Sequence, residues 1–238
     1  MVSDDQVSHG RPRTHGPARV AYKDLCVDVT DLDAGAAFFA PLLGLRVEDR
    51  HEAVFRLGDG MPAHTLWLNL VPERRTVKNR VHLDVDVAAV EDVLGAGATV
   101  LDDRQPWTVL THEQAGELCA FVRSPERLQT YRLYELVVDC AEPATLAAWW
   151  AERFAVDVED DGENVWVEGG DGPPWALVFN AVPEPKAVKN RVHVDVDGST
   201  AELLAAGATL VRARDDEIGW DVLADPEGNE FCVFAPTG

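Results

Sequence analysis

The ten-residue phrase VKNRVHxDVD occurs twice in this chain, from Val77 and again from Val188, 111 positions apart (His82 to His193). The correspondence extends well beyond it. LNLVPERRTVKNRVHLDVDV from Leu68 lines up with FNAVPEPKAVKNRVHVDVDG from Phe179, and LGAGATVL (Leu94–Leu101) with LAAGATLV (Leu204–Val211). GELCAF from Gly116 answers NEFCVF from Asn229, and YKDLCVDV from Tyr22 answers YELVVDC from Tyr134. A period of this size is the length of a domain rather than of a solenoid repeat. The chain therefore reads as a tail (1–19), a first domain (20–125), a polar linker (126–132) and a second domain (133–238).

Within each copy the apolar pattern switches between periods of two and 3.6 residues. The first copy predicts a strand at 22–29, a helix at 32–42 and strands at 46–51, 53–57 and 65–71. The RVHLDVDV strand at 80–87, a helix at 88–95 and strands near 99–102, 107–111 and 117–122 follow. That is βαβββ stated twice, and the second copy repeats it, with a helix at 144–154 whose Leu146, Trp149, Trp150 and Phe154 share a core-facing stripe. The expected class is α+β: two tandem domains of paired βαβββ modules, each forming a cupped mixed sheet.

Strand parity shows where chemistry can lie. Val81, Leu83, Val85 and Val87 make an unbroken aliphatic face, while Lys78, Arg80, His82, Asp84 and Asp86 fall on the other. Neighbouring strands behave alike: Asp24, Cys26 and Asp28, or Glu117, Cys119 and Phe121, oppose purely aliphatic sets. Acids, thiols and aromatics interleaved on one face describe a ligand cavity better than a solvated surface.

Charge narrows the partners. With 21 basic and 42 acidic residues the chain carries −21, which argues against a nucleic-acid backbone as partner. No segment reaches the roughly 18 consecutive apolar residues of a membrane span, and the opening residues lack the apolar centre of a secretory signal. Four cysteines without a CxxC pair fit a reduced, cytoplasmic protein.

The βαβββ order, VKNRVHLDV and VKNRVHVDV ahead of a helix, GAT after it, and DPEGNEFCVF (Asp225–Phe234) together resemble the vicinal oxygen chelate superfamily, in its glyoxalase-like, bleomycin-resistance-like branch. The resemblance spans Tyr22 to Pro236 and implies a cup made by two modules. In metal-using members four inward positions there hold a divalent ion that takes up two substrate oxygens. Carried over, the third position falls on His82 and His193, the fourth on Glu117 and Glu230, the first on Asp24 and Glu135, and the second on Asn69 and Asn180. Domain 1 departs from the pattern, having HEQAGE (His112–Glu117) in place of DPEGNE.

This diluted set implies a hard ion such as Mg²⁺ or Mn²⁺, with Fe²⁺, Ni²⁺, Zn²⁺ and no ion at all left open. Intertwined members group Asp24 and Asn69 with His193 and Glu230, and Glu135 and Asn180 with His82 and Glu117. Others build each site within one domain, and both arrangements stay open. Glu117 and Glu230 are candidate catalytic bases. Arg80 and Arg191 are candidates for binding a substrate carboxylate, although pairing with adjacent acids is the simpler expectation. Trp67 and Trp175 are candidates for stacking a flat ligand, and Asn69 and Asn180 for touching substrate. Asp84, Asp86, Asp195 and Asp197 are expected on solvated or Arg-paired surface.

Three functions follow from the resemblance: a metal-assisted lyase or isomerase acting on a small oxygenated molecule, a metal-free protein that sequesters an antibiotic-like ligand, or a structural module. The duplication implies a monomer that imitates a dimer.

Overall fold

The computed structural model describes residues 20–235, so the tail expected over 1–19 lies outside the described residues. The first half runs β1 (Val20–Val29), α1 (Leu32–Leu43), β2 (Arg46–Arg50), β3 (Val54–Gly58), β4 (Leu66–Leu70), β5 (Val81–Val87), α2 (Val90–Gly95), β6 (Thr99–Asp102), β7 (Thr108–His112) and β8 (Gly116–Val122). The second half repeats this order. It runs β9 (Leu133–Cys140), α3 (Pro143–Phe154), β10 (Glu159–Asp160), β11 (Val165–Val167), β12 (Ala176–Ala181), β13 (Val192–Gly198), α4 (Thr200–Ala205), β14 (Thr209–Arg212), β15 (Asp221–Ala224) and β16 (Glu230–Phe234).

The helix ends follow from local chemistry. Asp31 caps α1 by accepting from the Ala34 N–H, and the helix stops at Gly44, whose φ is +71°. A Cβ on Gly44 would lie 1.8 Å from the Thr130 carbonyl oxygen, so both the backbone and the space require glycine there. In α3 the first turn carries Pro143, and the Glu227 carboxylate accepts from the N–H groups of Ala141 (2.6 Å) and Glu142 (2.8 Å). Leu146, Trp150 and Phe154 are buried as the stripe predicts, while Trp149 is half-buried and donates its indole N–H to the Ala206 carbonyl.

The strands form two eight-stranded sheets, ordered β14-β15-β16-β13-β1-β4-β3-β2 and β10-β11-β12-β9-β5-β8-β7-β6. Each sheet joins the first four strands of one half to the last four of the other. The intertwined alternative is therefore the one adopted, through the antiparallel pairs β1–β13 and β5–β9. The aliphatic faces pack under the helices in one core that includes Leu25, Val27, Leu68, Val85, Leu136 and Val196. Trp175 belongs to that core, edge-on to Tyr22, and is no ligand platform.

The repeated charges cross-link the halves. Lys189 donates to the buried Asp28 (2.6 Å), and Lys78 to the buried Asp139 (2.6 Å). Arg191 donates to the carbonyls of Glu73 (2.7 Å) and Asp28 (3.0 Å), and Arg80 to those of Glu184 (2.6 Å) and Asp139 (3.1 Å). The arginines thus satisfy backbone acceptors of the opposite half rather than adjacent acids. Asn79 and Asn190 are buried where the phrase turns into its strand.

Candidate functional site

Each sheet curves around a cup whose floor is set by ladder register. In the first sheet Cys26 lies opposite His193 across β1–β13, and Asp195 lies beside Cys232 across β13–β16. In the second sheet His82 lies opposite Val137 and Asp84 beside Cys119. Ladder partners share a face, so a histidine, an aspartate and a thiol converge in both cups. The donor atoms of Cys26, His193 and Asp195 all lie within 4.8 Å of one another, as do those of His82, Asp84 and Cys119. Cys232 Sγ is 3.5 Å from His193 Nε2.

These groups are dry. Burial pushes both imidazoles down to about 4 and the carboxyls of Asp84 and Asp195 up to about 7. It also raises the thiols of Cys26, Cys119 and Cys232. The imidazoles are thus neutral at physiological pH, with a lone pair to offer. Oδ1 of Asp84, Oδ1 of Asp195 and Nδ1 of His82 are buried without a hydrogen-bond partner. His82 Nε2 stands 3.4 Å from Asp84 Oδ1, and His193 Nε2 3.6 Å from Asp195 Oδ1, both too long for a hydrogen bond of normal strength. Asp84 and Asp195 are therefore not the solvated or Arg-paired surface acids expected from their charge. Asp86 does pair, with Arg123 at 2.6 Å.

The residues carried over by resemblance are spread more widely. Asp24 lies opposite Asp195, whereas Asn69 lies beside Asp28. Four residues of strand, about 13 Å, separate those two rows. Glu135 is likewise opposite Asp84 and Asn180 beside Asp139. Asp24 is held by Lys23 at 2.5 Å. The fourth-position glutamates are clamped: Glu117 accepts from Arg75 (2.7 Å) and the Asn79 N–H (3.0 Å), and Glu230 from Lys186 (2.8 Å) and the Asn190 N–H (3.1 Å). Trp67 flanks the first cup beside Cys26. Of the proposed ligands only His82 and His193 enter the compact donor clusters found among the described residues.

Sequence reasoning missed Cys26, Cys119, Cys232, Asp84 and Asp195 as site residues. Parity had placed them on the inner face, but which inner residues converge depends on the register between strands. The drifted HEQAGE turn also keeps its work. Gln114 Oε1 accepts from the N–H groups of Thr30 (2.9 Å) and Asp31 (3.2 Å), as Glu227 does ahead of α3, while His112 stacks on Phe38 with ring centres 3.7 Å apart.

Above the second floor is a cavity of about 520 Å³, lined by Lys78, His82, Glu117, Cys119, Asp139 and Asn180 among others. It adjoins a larger space of about 710 Å³ between the two copies of the VPExxxVKNR loop, with which it shares Lys78, Asp139 and Val182.

A divalent ion fits the donor chemistry of these floors, though as a mixed nitrogen, oxygen and sulfur set rather than the all-oxygen-plus-histidine set the resemblance implied. Each floor also has a buried carboxylate oxygen that a cation would satisfy.

The fold defines a protein of four βαβββ modules paired into two sheets, and comparison with known proteins agrees. The glyoxalase-like domain profile matches residues 24–121 and again 135–234, so the chain belongs to the glyoxalase-like family of the vicinal oxygen chelate superfamily. No curated protein sequence matches it. Among solved structures it is similar to glyoxalase I from Zea mays, with 12% identity, 91% of this chain and 92% of that chain covered, and a TM-score of 0.64. A V278E mutant of the maize enzyme gives 10% identity, 91% and 92% coverage, and 0.65. A Bacillus subtilis protein provisionally named a dioxygenase gives 10% identity, 94% and 87% coverage, and 0.59. At these identities the likeness is one of fold.

Proposed function

We propose that the chain is a monomeric enzyme that binds a small oxygenated molecule in the second cup and acts on it with the help of a divalent ion. The observation that carries this reading is the cavity of about 520 Å³ opening directly onto His82 and Cys119, with the unpartnered Asp84 oxygen in the same donor cluster. His82, Asp84 and Cys119 would hold the ion, three protein ligands that leave a coordination position facing the cavity. When bound, the ion supplies Lewis acidity toward a substrate carbonyl or hydroxyl oxygen.

The surrounding side chains fix the substrate. Glu117 faces the cavity with its carboxylate steadied by Arg75 and the Asn79 N–H. Both carboxylate oxygens are already engaged, Oε1 by Arg75 and Oε2 by the Asn79 N–H, so Glu117 is held in one orientation from which it accepts from a substrate hydroxyl. Lys78 and Asn180 add donors on the same wall.

The ion pairs on Glu117 and Glu230 favour a second reading, that of a metal-free binding protein, because they occupy both glutamates that the resemblance assigns to metal. Elemental mass spectrometry decides between the two, on untagged protein expressed with Mn²⁺, Fe²⁺, Ni²⁺ and Zn²⁺. Stoichiometric metal, with one equivalent lost in His82→Ala, is the expected result. A metal-free wild type that retains a small molecule through purification would overturn the metal-assisted reading in favour of sequestration.

A further inference from the structure

The larger cavity, of about 710 Å³, is walled by the repeated phrase itself. It lies between the two VPExxxVKNR loops, and its lining pairs residues 111 positions apart: Glu73 with Glu184, Val77 with Val188, Lys78 with Lys189 and Arg80 with Arg191. His82, Asp84, His193 and Asp195 of the two floors take no part in that lining. The space thus sits at the seam between the halves and draws equally on both.

Charge is concentrated here with the sign opposite to that of the chain. Arg74, Arg75, Lys78, Arg80, Lys189 and Arg191 line the cavity, six of 21 basic residues, whereas Asp28, Glu73, Asp139 and Glu184 are only four of 42 acids. Two of those acids are already neutralised, Asp28 by Lys189 and Asp139 by Lys78, while Glu73 and Glu184 are exposed to water. Arg80 and Arg191 donate to backbone carbonyls and pair with no carboxylate among the described residues, so each guanidinium keeps its full charge. Much of the remaining wall is apolar. Val77 and Val188 are 45% and 46% exposed, equivalent aliphatic side chains left uncovered in a space of the size that small ligands occupy.

We infer that this chamber is a second ligand site, distinct from the cups, for a small dicarboxylate with an apolar middle. One carboxylate takes Arg80 and the other Arg191, each through charge-assisted hydrogen bonds, and the two valines cover the methylene chain between them. A dianion satisfies both guanidiniums at once, a monoanion leaves one without a counter-charge, and a cation meets a wall of its own sign. Because the two arginines belong to opposite halves, the bound ligand adds a cross-link to the clamps that the phrase already makes.

The test is calorimetric titration of the full-length protein with suberate, the eight-carbon straight-chain dicarboxylate. One equivalent should bind, more weakly as salt is raised, and should raise the thermal midpoint. Octanoate, with one charge, and succinate, with almost no apolar middle, should bind at least about 10-fold more weakly, and the diamine of suberate's length should not bind. Arg80→Gln and Arg191→Gln should each weaken suberate by about 10- to 100-fold. Val77→Asp breaks no clamp and sets a carboxylate on the exposed wall. It should weaken suberate at least about 10-fold with the ligand-free midpoint unchanged, which keeps the test decisive if an arginine variant fails to fold. His82→Ala should leave suberate affinity as it was. No saturable binding, equal affinity for octanoate, or loss of suberate binding in His82→Ala overturns the chamber site. His82-dependent metal content is read separately, so the metal-assisted reaction can stand without the chamber, and suberate binding to a metal-free protein would keep the chamber without the reaction.

Discussion

Gly116 shows how one residue sets a site wall. It precedes Glu117 with φ +74°, and a Cβ there would come within 2.3 Å of Asn79 Nδ2. Asn79 is buried, donating its side-chain N–H to the Ala115 carbonyl (3.0 Å) and its backbone N–H to Glu117. Gly116→Ala therefore combines left-handed strain with displacement of the residue that steadies Glu117. A loss of about 1–3 kcal/mol is expected in denaturant titration, whereas unchanged stability would mean the turn relaxes freely. The second copy solves the same problem differently: Asn229 occupies the corresponding position, and its side-chain oxygen accepts from Asn190. Neither solution was legible in the sequence, because both depend on a side chain 37 or more residues away. The inward direction of His82, Cys119 and Glu117 was legible, since alternation along a strand is local geometry.

Among the elements, α4 and β15 are joined through one carboxylate. The buried Asp221 accepts from Arg214 Nη2 (2.7 Å), the Arg214 N–H (2.8 Å) and the Thr200 hydroxyl (2.5 Å), tying the 213–220 loop to the first turn of α4. Arg214, followed by Thr200, draws this carboxyl down to about 2. A carboxylate depressed on folding contributes stability that is present above its unfolded value near 3.8 and lost as pH falls toward 2. Denaturant midpoints measured from pH 5 to pH 2 should therefore fall less steeply in Asp221→Asn than in wild type, with the variant already weaker at pH 5. Identical slopes would remove Asp221 from the acid response. At this scale the sequence performed well: the predicted strands and helices agree with the observed ones to within a residue or two, because periodicity and caps are written locally. The exception concerns charge. Asp84 and Asp195 look like surface acids in isolation and become buried only when β8, β9, β1 and β16 close around them.

Across the whole molecule the exchange of halves governs behaviour. Neither half contains a complete sheet, and the segment Ser124–Gln129 that joins them is exposed apart from Leu128. A protease site inserted there and cleaved should leave the two fragments co-eluting as one native particle, held by β1–β13, β5–β9 and the Lys–Asp and Arg–carbonyl clamps. Separation without denaturant would show that the halves fold alone. Among the described residues no helix is long and apolar enough to cross a membrane. The sequence by itself determined the duplication, the βαβββ order, the inner and outer face of each strand and the family, because these are written in repeats and short-range periodicity. Tertiary structure alone decided that the halves exchange, that VKNR clamps one half to the other, and that Cys26, Asp195 and Cys232 join His193. Those facts depend on the register between strands that lie from 37 residues apart (Asp195 and Cys232) to 167 (Cys26 and His193), and no local pattern encodes that register.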